Sequence, residues 1–294
     1  MKEVYGYLLI VVASMIWGTM GILGKLAFEY GIHPATLIAL RLLISSLTIL
    51  APIIMFKKKS LQIQKRDLLL FLVFGIFAVA FQRITYFYAV DLTTATIAAI
   101  LFYTYPIFVT IYAALVLREK ITFSTIVAII LTFVGVALVV KIYETAWLDA
   151  TFIGIVFGIL SSAFFALYFL TVKKLRNCYT NWTLMFYGDG IGAAVLTPII
   201  FSTFPEIVSF PGQLWLLILA IAWFPSLLAY SIYSYALKHV ESSKGSILSV
   251  IEPLSAAVLS ATILGENFEQ LQIIGVALAL TGVIVLFYKP KLKN

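Results

Sequence analysis

The sequence has little of what chemistry in water requires. Charged residues make up 11% of its 294 positions, against roughly 25% in a soluble domain. Cysteine occurs once, at Cys178, so no disulfide can close within the chain. The two histidines, His33 and His239, stand at the ends of apolar segments, and no Cys/His spacing suggests a metal site. A GxxxxGK[ST] phosphate loop is missing, and no polar stretch is long enough to form a nucleotide-binding domain. Paired acids or metal ligands near an interface, which an enzyme of membrane substrates would need, are missing too. These gaps argue against ATP-driven work, against catalysis and against any metal or organic cofactor.

What the chain has instead is apolar surface. It is 63% hydrophobic, with a mean hydropathy of +1.08, more than the core of a soluble fold can hide. Breaks at charge, Gly or Pro leave ten stretches near the roughly 20 residues that cross a bilayer as a helix. They run over about 5–28, 35–56, 68–90, 95–117, 123–142, 152–172, 180–202, 213–237, 243–264 and 270–288. The first is too long for a signal peptide and lacks a small-residue cleavage site, so it reads as a retained helix. The expectation is an all-α integral membrane protein whose surroundings are the lipid bilayer.

The net charge of +7 would suggest nucleic acid in a soluble protein. Here it reads as topology, and no nucleic-acid partner is expected. With the N-terminus in the cytoplasm, sixteen of the 20 Lys and Arg fall on the inner side, Lys57, Lys58, Lys59, Arg66, Arg118 and Lys173 among them. The outer loops FEYGIHP, VDLTT, FSTFPEIVSFPG and GENFEQ are acidic or neutral. Ten spans with both ends inside a cell membrane keep this separation; nine or eleven would scramble it.

The chain also repeats itself. Residues 88–140 lie over 235–287 without a gap, pairing Tyr88 with Tyr235, Pro106 with Pro253, Glu119 with Glu266 and Gly135 with Gly282. Five spans per copy is an odd number, so the second copy enters from the opposite side. Two inverted five-helix repeats, residues 1–146 and 147–294, are expected around a central cavity, the arrangement of many secondary transporters.

Three motifs carry a family resemblance: Trp17–Gly18 in the first span, Pro106…Leu117–Arg118–Glu119, and Glu252–Pro253…Leu264–Gly265–Glu266. Together they resemble the EamA-type transporters of the drug/metabolite transporter superfamily, over nearly the whole chain. The resemblance implies a basket-like bundle and export of small metabolites, amino acids included. Transporters of drugs, cations or lipid-linked substrates share the fold and are the alternative. A channel is less well supported, since no repeated polar rings appear.

Ionisable residues at bilayer depth are costly and need protein, water or a partner. Arg41, Arg83, Asp189 and Glu252 lie inside spans. At about 1.5 Å per residue, Glu252 and Asp189 lie roughly 12–14 Å from the inner side and the arginines about 20 Å or more. Glu252 invites two readings: a cavity carboxylate that binds a substrate amine or carries a proton, or a kink tied to an arginine or a Ser hydroxyl. Asp189 reads as a helix-packing group or a member of a charge relay. Arg41 could join that relay or snorkel to headgroups. Arg83 is read with Gln82 and Tyr86 as a cavity face, suited to a substrate carboxylate, or as the ion-pair partner of an acid. Deep aromatics and hydroxyls, Trp17, Tyr86, Tyr105, Tyr168, Tyr230 and Ser234, are the expected lining for an amphipathic small-molecule substrate. Pro106 and Pro253 are the expected hinges. Glu119 and Glu266 are each expected to cap the helix that follows them. Protons are the candidate coupling ion, with uncoupled facilitation as the alternative; oligomeric state stays open, and a monomer is compatible.

Overall fold

The computed structural model describes residues 2–93, 95–144, 152–263 and 269–287, and among these all regular structure is helical. Ten apolar helices follow one another: α1 (Glu3–Phe28), α2 (Pro34–Phe56), α3 (Lys65–Leu92), α4 (Ile97–Val116), α5 (Phe123–Val139), α6 (Phe152–Leu175), α7 (Asn181–Ser202), α8 (Gly212–Ala236), α9 (Ser242–Ile263) and α10 (Gln270–Leu286). Eight of them have the length and hydropathy to cross a membrane; α5 and α10 are shorter. With 17 residues, α5 sits at the lower end of the range of about 17–25 that spans.

The inverted repeat is visible in the packing. Helix α1 packs on α8 and α9, as α6 packs on α3 and α4. Helix α2 packs on α8 as α7 packs on α3, while α2 pairs with α7 and α5 with α10. Exchanging each helix for the one five places along reproduces these pairs. The boundary expected at 146/147 falls outside the described residues.

Local geometry repeats as well. Helices α3 and α8 each carry a π-helical stretch, Phe74–Phe81 and Ala222–Leu228, in which an amide reaches the carbonyl five residues back (Gln82 to Phe77, Ala229 to Phe224). Such turns rotate the remainder of the helix about its axis and recur at functional sites. Helices α4 and α9 are each broken, after Phe102 and after Leu248, and resume at Tyr105 and Ile251. Both hinge prolines fall in the first turn of the second half, Pro106 in Tyr105–Val116 and Pro253 in Ile251–Ile263. A proline costs least there, because the amide it lacks has no intrahelical partner anyway. The hydroxyl of Ser249 donates to the carbonyl of Gly245 at 2.9 Å at the break.

Helices α5 and α10 meet on glycine. A Cβ on Gly135 would stand 2.5 Å from the amide of Ala279, and one on Gly275 would stand 2.6 Å from the carbonyl of Gly135. In lipid, where burial of apolar surface does not drive helix pairing, such backbone proximity does much of the work. The pair is closed at one end by Glu269, which accepts from Lys141 and, at 2.7 Å, from Tyr143. The lysine bond, then the tyrosine, holds the Glu269 carboxyl below its usual range, and the same bond raises Lys141. A depressed carboxylate stabilises above its unfolded pKa, about 4.3, and its contribution is lost as pH falls through the lower folded value. Glu269→Gln is therefore expected to lower the melting temperature in detergent at pH 7, with the gap to the parent closing as pH falls below about 4. A gap that stays constant with pH would assign Glu269 a different role.

The expected cap at Glu119 is corrected by the structure. Helix α5 is capped by Thr122, whose hydroxyl accepts from the amide of Thr125 at 3.2 Å. Glu119 instead reaches across to the start of α9, accepting from Ser242 and Ser243. The α4–α5 connection lies beside α9 because the repeats interlock, a proximity that sequence distance conceals. Its counterpart Glu266 lies outside the described residues.

Candidate functional site

The centre of the bundle is an aromatic cluster contributed by both repeats. The ring of Trp17, on α1, lies 4.7 Å from that of Tyr230 and 4.8 Å from that of Tyr233, both on α8. Tyr168, on α6, lies 5.4 Å from Tyr230. Tyr105, at the break in α4, lies 4.8 Å from Phe165 and 5.6 Å from Phe169. Trp17 reaches the cluster because Gly18 lets α1 approach α9 closely. A Cβ on Gly18 would stand 2.8 Å from the Cβ of Ser255 and 3.0 Å from the carbonyl oxygen of Glu252. The two halves of the Trp17–Gly18 motif thus have separate jobs, one lining the centre and one bringing α1 onto the carboxylate-bearing helix.

Buried polar atoms collect around these rings without partners. Trp17 Nε1, the hydroxyls of Tyr105, Tyr168, Ser226 and Ser234, and Arg83 Nε are all enclosed and make no hydrogen bond. Native interiors leave few such atoms unpaired, and each carries a desolvation cost of about 1–3 kcal/mol.

The π-helical stretches place the charged residues. Arg83 follows the stretch in α3, and Tyr230, its repeat counterpart, follows the one in α8. The Arg83 guanidinium lies 5.5 Å from the centre of the Tyr230 ring, within cation–π range, and donates to the carbonyl of Val79. Arg41 and Asp189 lie within electrostatic reach of Arg83 and of each other. Arg41 is 8% exposed and its guanidinium contacts Met20 Sδ at 3.3 Å. Snorkelling to headgroups is thus corrected: neighbours on α1 cover the arginine, which faces the interior.

Glu252 stands apart from these arginines. Its charge acts on Tyr86, Tyr103, Tyr105, Tyr230 and Tyr233. Among the described residues no basic nitrogen lies within 4.0 Å of the carboxylates of Glu252 or Asp189. The anticipated ion pair between Glu252 and an arginine is therefore not formed. Depth along separate helices allowed it, but packing turns the arginines toward α7. Beside Glu252, the hydroxyls of Ser249 and Tyr233 are hydrogen-bonded at 2.9 Å.

The anticipated face of Gln82, Arg83 and Tyr86 is divided. Gln82 is taken up by α6, donating to Ser161 Oγ at 3.2 Å and accepting from it at its carbonyl at 3.0 Å. Tyr86 packs on Phe102, its ring 5.4 Å away. Trp17, Arg83, Tyr105, Tyr168, Tyr230 and Tyr233 come together around one centre. The two π-helical stretches were not found from sequence. Pro225, inside one stretch, is the only signal that could have pointed to them.

Comparison with known proteins agrees with this architecture. The model of the EamA-like transporter family matches the chain twice, over residues 4–141 and 152–288. An uncharacterized transporter of Archaeoglobus fulgidus is 30% identical over 281 residues, covering 96% of both chains. An uncharacterized transporter of Clostridium kluyveri is 28% identical, covering 98% of this chain and 95% of its own. The uncharacterized inner membrane transporter YicL of Salmonella typhimurium is 25% identical over 284 residues. One solved crystal structure shares the fold with a TM-score of 0.80 at 16% identity, covering 96% of this chain and 97% of that one. The protein is a multi-pass membrane transporter, and with both of its halves matched it belongs to the EamA-like transporter family.

Proposed function

We propose that this transporter exports small amphipathic metabolites, amino acids first among them and aromatic ones included, by alternating access. The observation that carries the reading is the set of unpartnered donors around Tyr230, together with a half-buried carboxylate, Glu252, that no cation neutralises among the described residues. The donors Trp17 Nε1 and Arg83 Nε have no acceptor of their own and suit a substrate carboxylate. Glu252, among tyrosine hydroxyls, suits an ammonium group. The aromatic rings between them suit an apolar side chain. In this reading the lysine-rich face is cytoplasmic, both termini included, and the chain works without a cofactor. Protons are the coupling ion it favours, with Glu252 as carrier and Asp189 and Arg41 as a charge relay.

The same carboxylate among tyrosines also suits a lipophilic cation, so the test includes one. Purified protein in proteoliposomes is given labelled phenylalanine, tryptophan, methionine, threonine or tetraphenylphosphonium, with and without an imposed pH gradient. Saturable uptake of one or more amino acids, driven by the gradient, is expected. Uptake of the cation alone moves the protein to the alternative class, and no uptake of any amino acid rejects the proposed one.

A further inference from the structure

We propose that Glu119 is a positioning residue for transport, clamping the first half of α9 to the opposite repeat and so holding Glu252 in place and the lysine-rich face shut. The inference rests on the alternating-access reading above. Glu119 Oε1 accepts from the amide of Ser242 at 2.9 Å, and Oε2 accepts from the amide of Ser243 at 3.2 Å and its hydroxyl at 2.7 Å. Hydrogen bonds to a charged acceptor are roughly twice as strong as neutral ones. Both serines are buried, with 0% and 7% exposure, so water does not readily replace the carboxylate.

The held segment is a lever. The first half of α9 is the 7-residue Ser242–Leu248, and the break at its end leads straight to Glu252. Other elements grip the same end. Lys173 of α6 donates to the carbonyl of Val240. Gly6 of α1 lies so near Val240 that a Cβ would stand 2.6 Å from its Cγ2. Glu3 of α1 stands 3.9 Å from the Lys244 ammonium of α9. These grips gather where α9 begins, and among the described residues Glu119 alone brings a first-repeat carboxylate onto two amides there. For the site to open toward the lysine-rich face, the start of α9 must part from the α4–α5 connection, which means releasing Ser242 and Ser243. A cross-repeat contact that breaks in one state and forms in the other biases the equilibrium between them.

The test reads that bias directly. Cys178 is exposed and is first replaced by serine. Ser234, which is fully buried, is then changed to cysteine as the reporter. Inverted membrane vesicles, lysine-rich face outward, are treated with a membrane-impermeant maleimide. Glu119→Ala is expected to speed labelling at least about fivefold over the parent, the size of a modest coupling between two states. Glu119→Gln, which keeps the shape but loses the charge, should fall between them and stands in if the alanine variant does not fold. Thr122→Ala, which uncaps α5 in the same connection, should leave the rate unchanged. Equal rates in Glu119→Ala and the parent overturn the proposal. So does equal acceleration in right-side-out vesicles, which would show general loosening. Faster labelling without uptake of any amino acid would keep the clamp and reject the substrate class.

Discussion

Glu252→Gln is expected to abolish gradient-driven uptake and to lower whatever saturable uptake persists by about 10–100-fold, since a hydrogen bond to a charged group is worth about 1.5–3 kcal/mol and each 1.4 kcal/mol is tenfold. Glutamine keeps the volume, and α1 meets α9 here through the Glu252 backbone carbonyl and Ser255, which the change leaves alone, so the protein should fold. What is lost is a carboxylate that no arginine or lysine neutralises among the described residues. Had the acid been locked in an ion pair, glutamine would leave an unpaired arginine and reduce stability strongly. The two cases separate in one experiment: uptake and melting temperature measured on the same preparation. Loss of uptake with melting unchanged supports a working carboxylate; a large drop in melting temperature with residual uptake would make Glu252 structural.

Gly135→Leu is expected to be the most damaging single change to the fold. The first added carbon would meet the Ala279 amide at 2.5 Å and the Gly275 carbonyl at 2.6 Å. Both obstacles are backbone, so no rotamer change relieves them. Overpacking costs about 1–3 kcal/mol even where side chains can yield. Against backbone the cost is taken as the upper end, about 3 kcal/mol; at about 2–4 °C per kcal/mol for a chain of this size, the melting temperature in detergent should fall by roughly 6–12 °C or the protein should fail to accumulate. Gly21→Ala is the matched control. A Cβ there meets nothing within 4 Å, so its effect should stay within about ±0.5 kcal/mol. Equal melting temperatures for the two variants would mean that α5 and α10 do not pair as the structure has them.

Much of the architecture is legible in the sequence. The ten apolar segments and the repeat pairing at Pro106 and Pro253 each correspond to a feature of the fold. The prolines were legible as helix breaks because a missing amide acts locally, whatever surrounds it. Gly135 and Gly282 were legible as packing positions because their size matters in any partner. The polar groups were harder. Arg41 read as a snorkelling residue from its position along α2, yet it is enclosed beside Met20 and Asp189. Glu119 read as the cap of the next helix, yet its partners are Ser242 and Ser243, more than a hundred residues away. Gln82 read as part of a binding face and is taken up by Ser161.

The reason lies in what each property depends on. Bilayer insertion responds to hydropathy summed along a segment, and inversion responds to the parity of the spans in a repeat; both are properties of the chain in one dimension. Sequence by itself therefore determined that this is a ten-helix membrane protein built of two opposed halves. Which polar atoms face one another depends on helix rotation. A single π-helical turn in α3 or α8 changes that rotation with almost no mark in the residues that form it. Only the tertiary structure decided that Arg83 lies over Tyr230, that Glu252 is left to the tyrosines, and that Glu119 holds the opposite repeat.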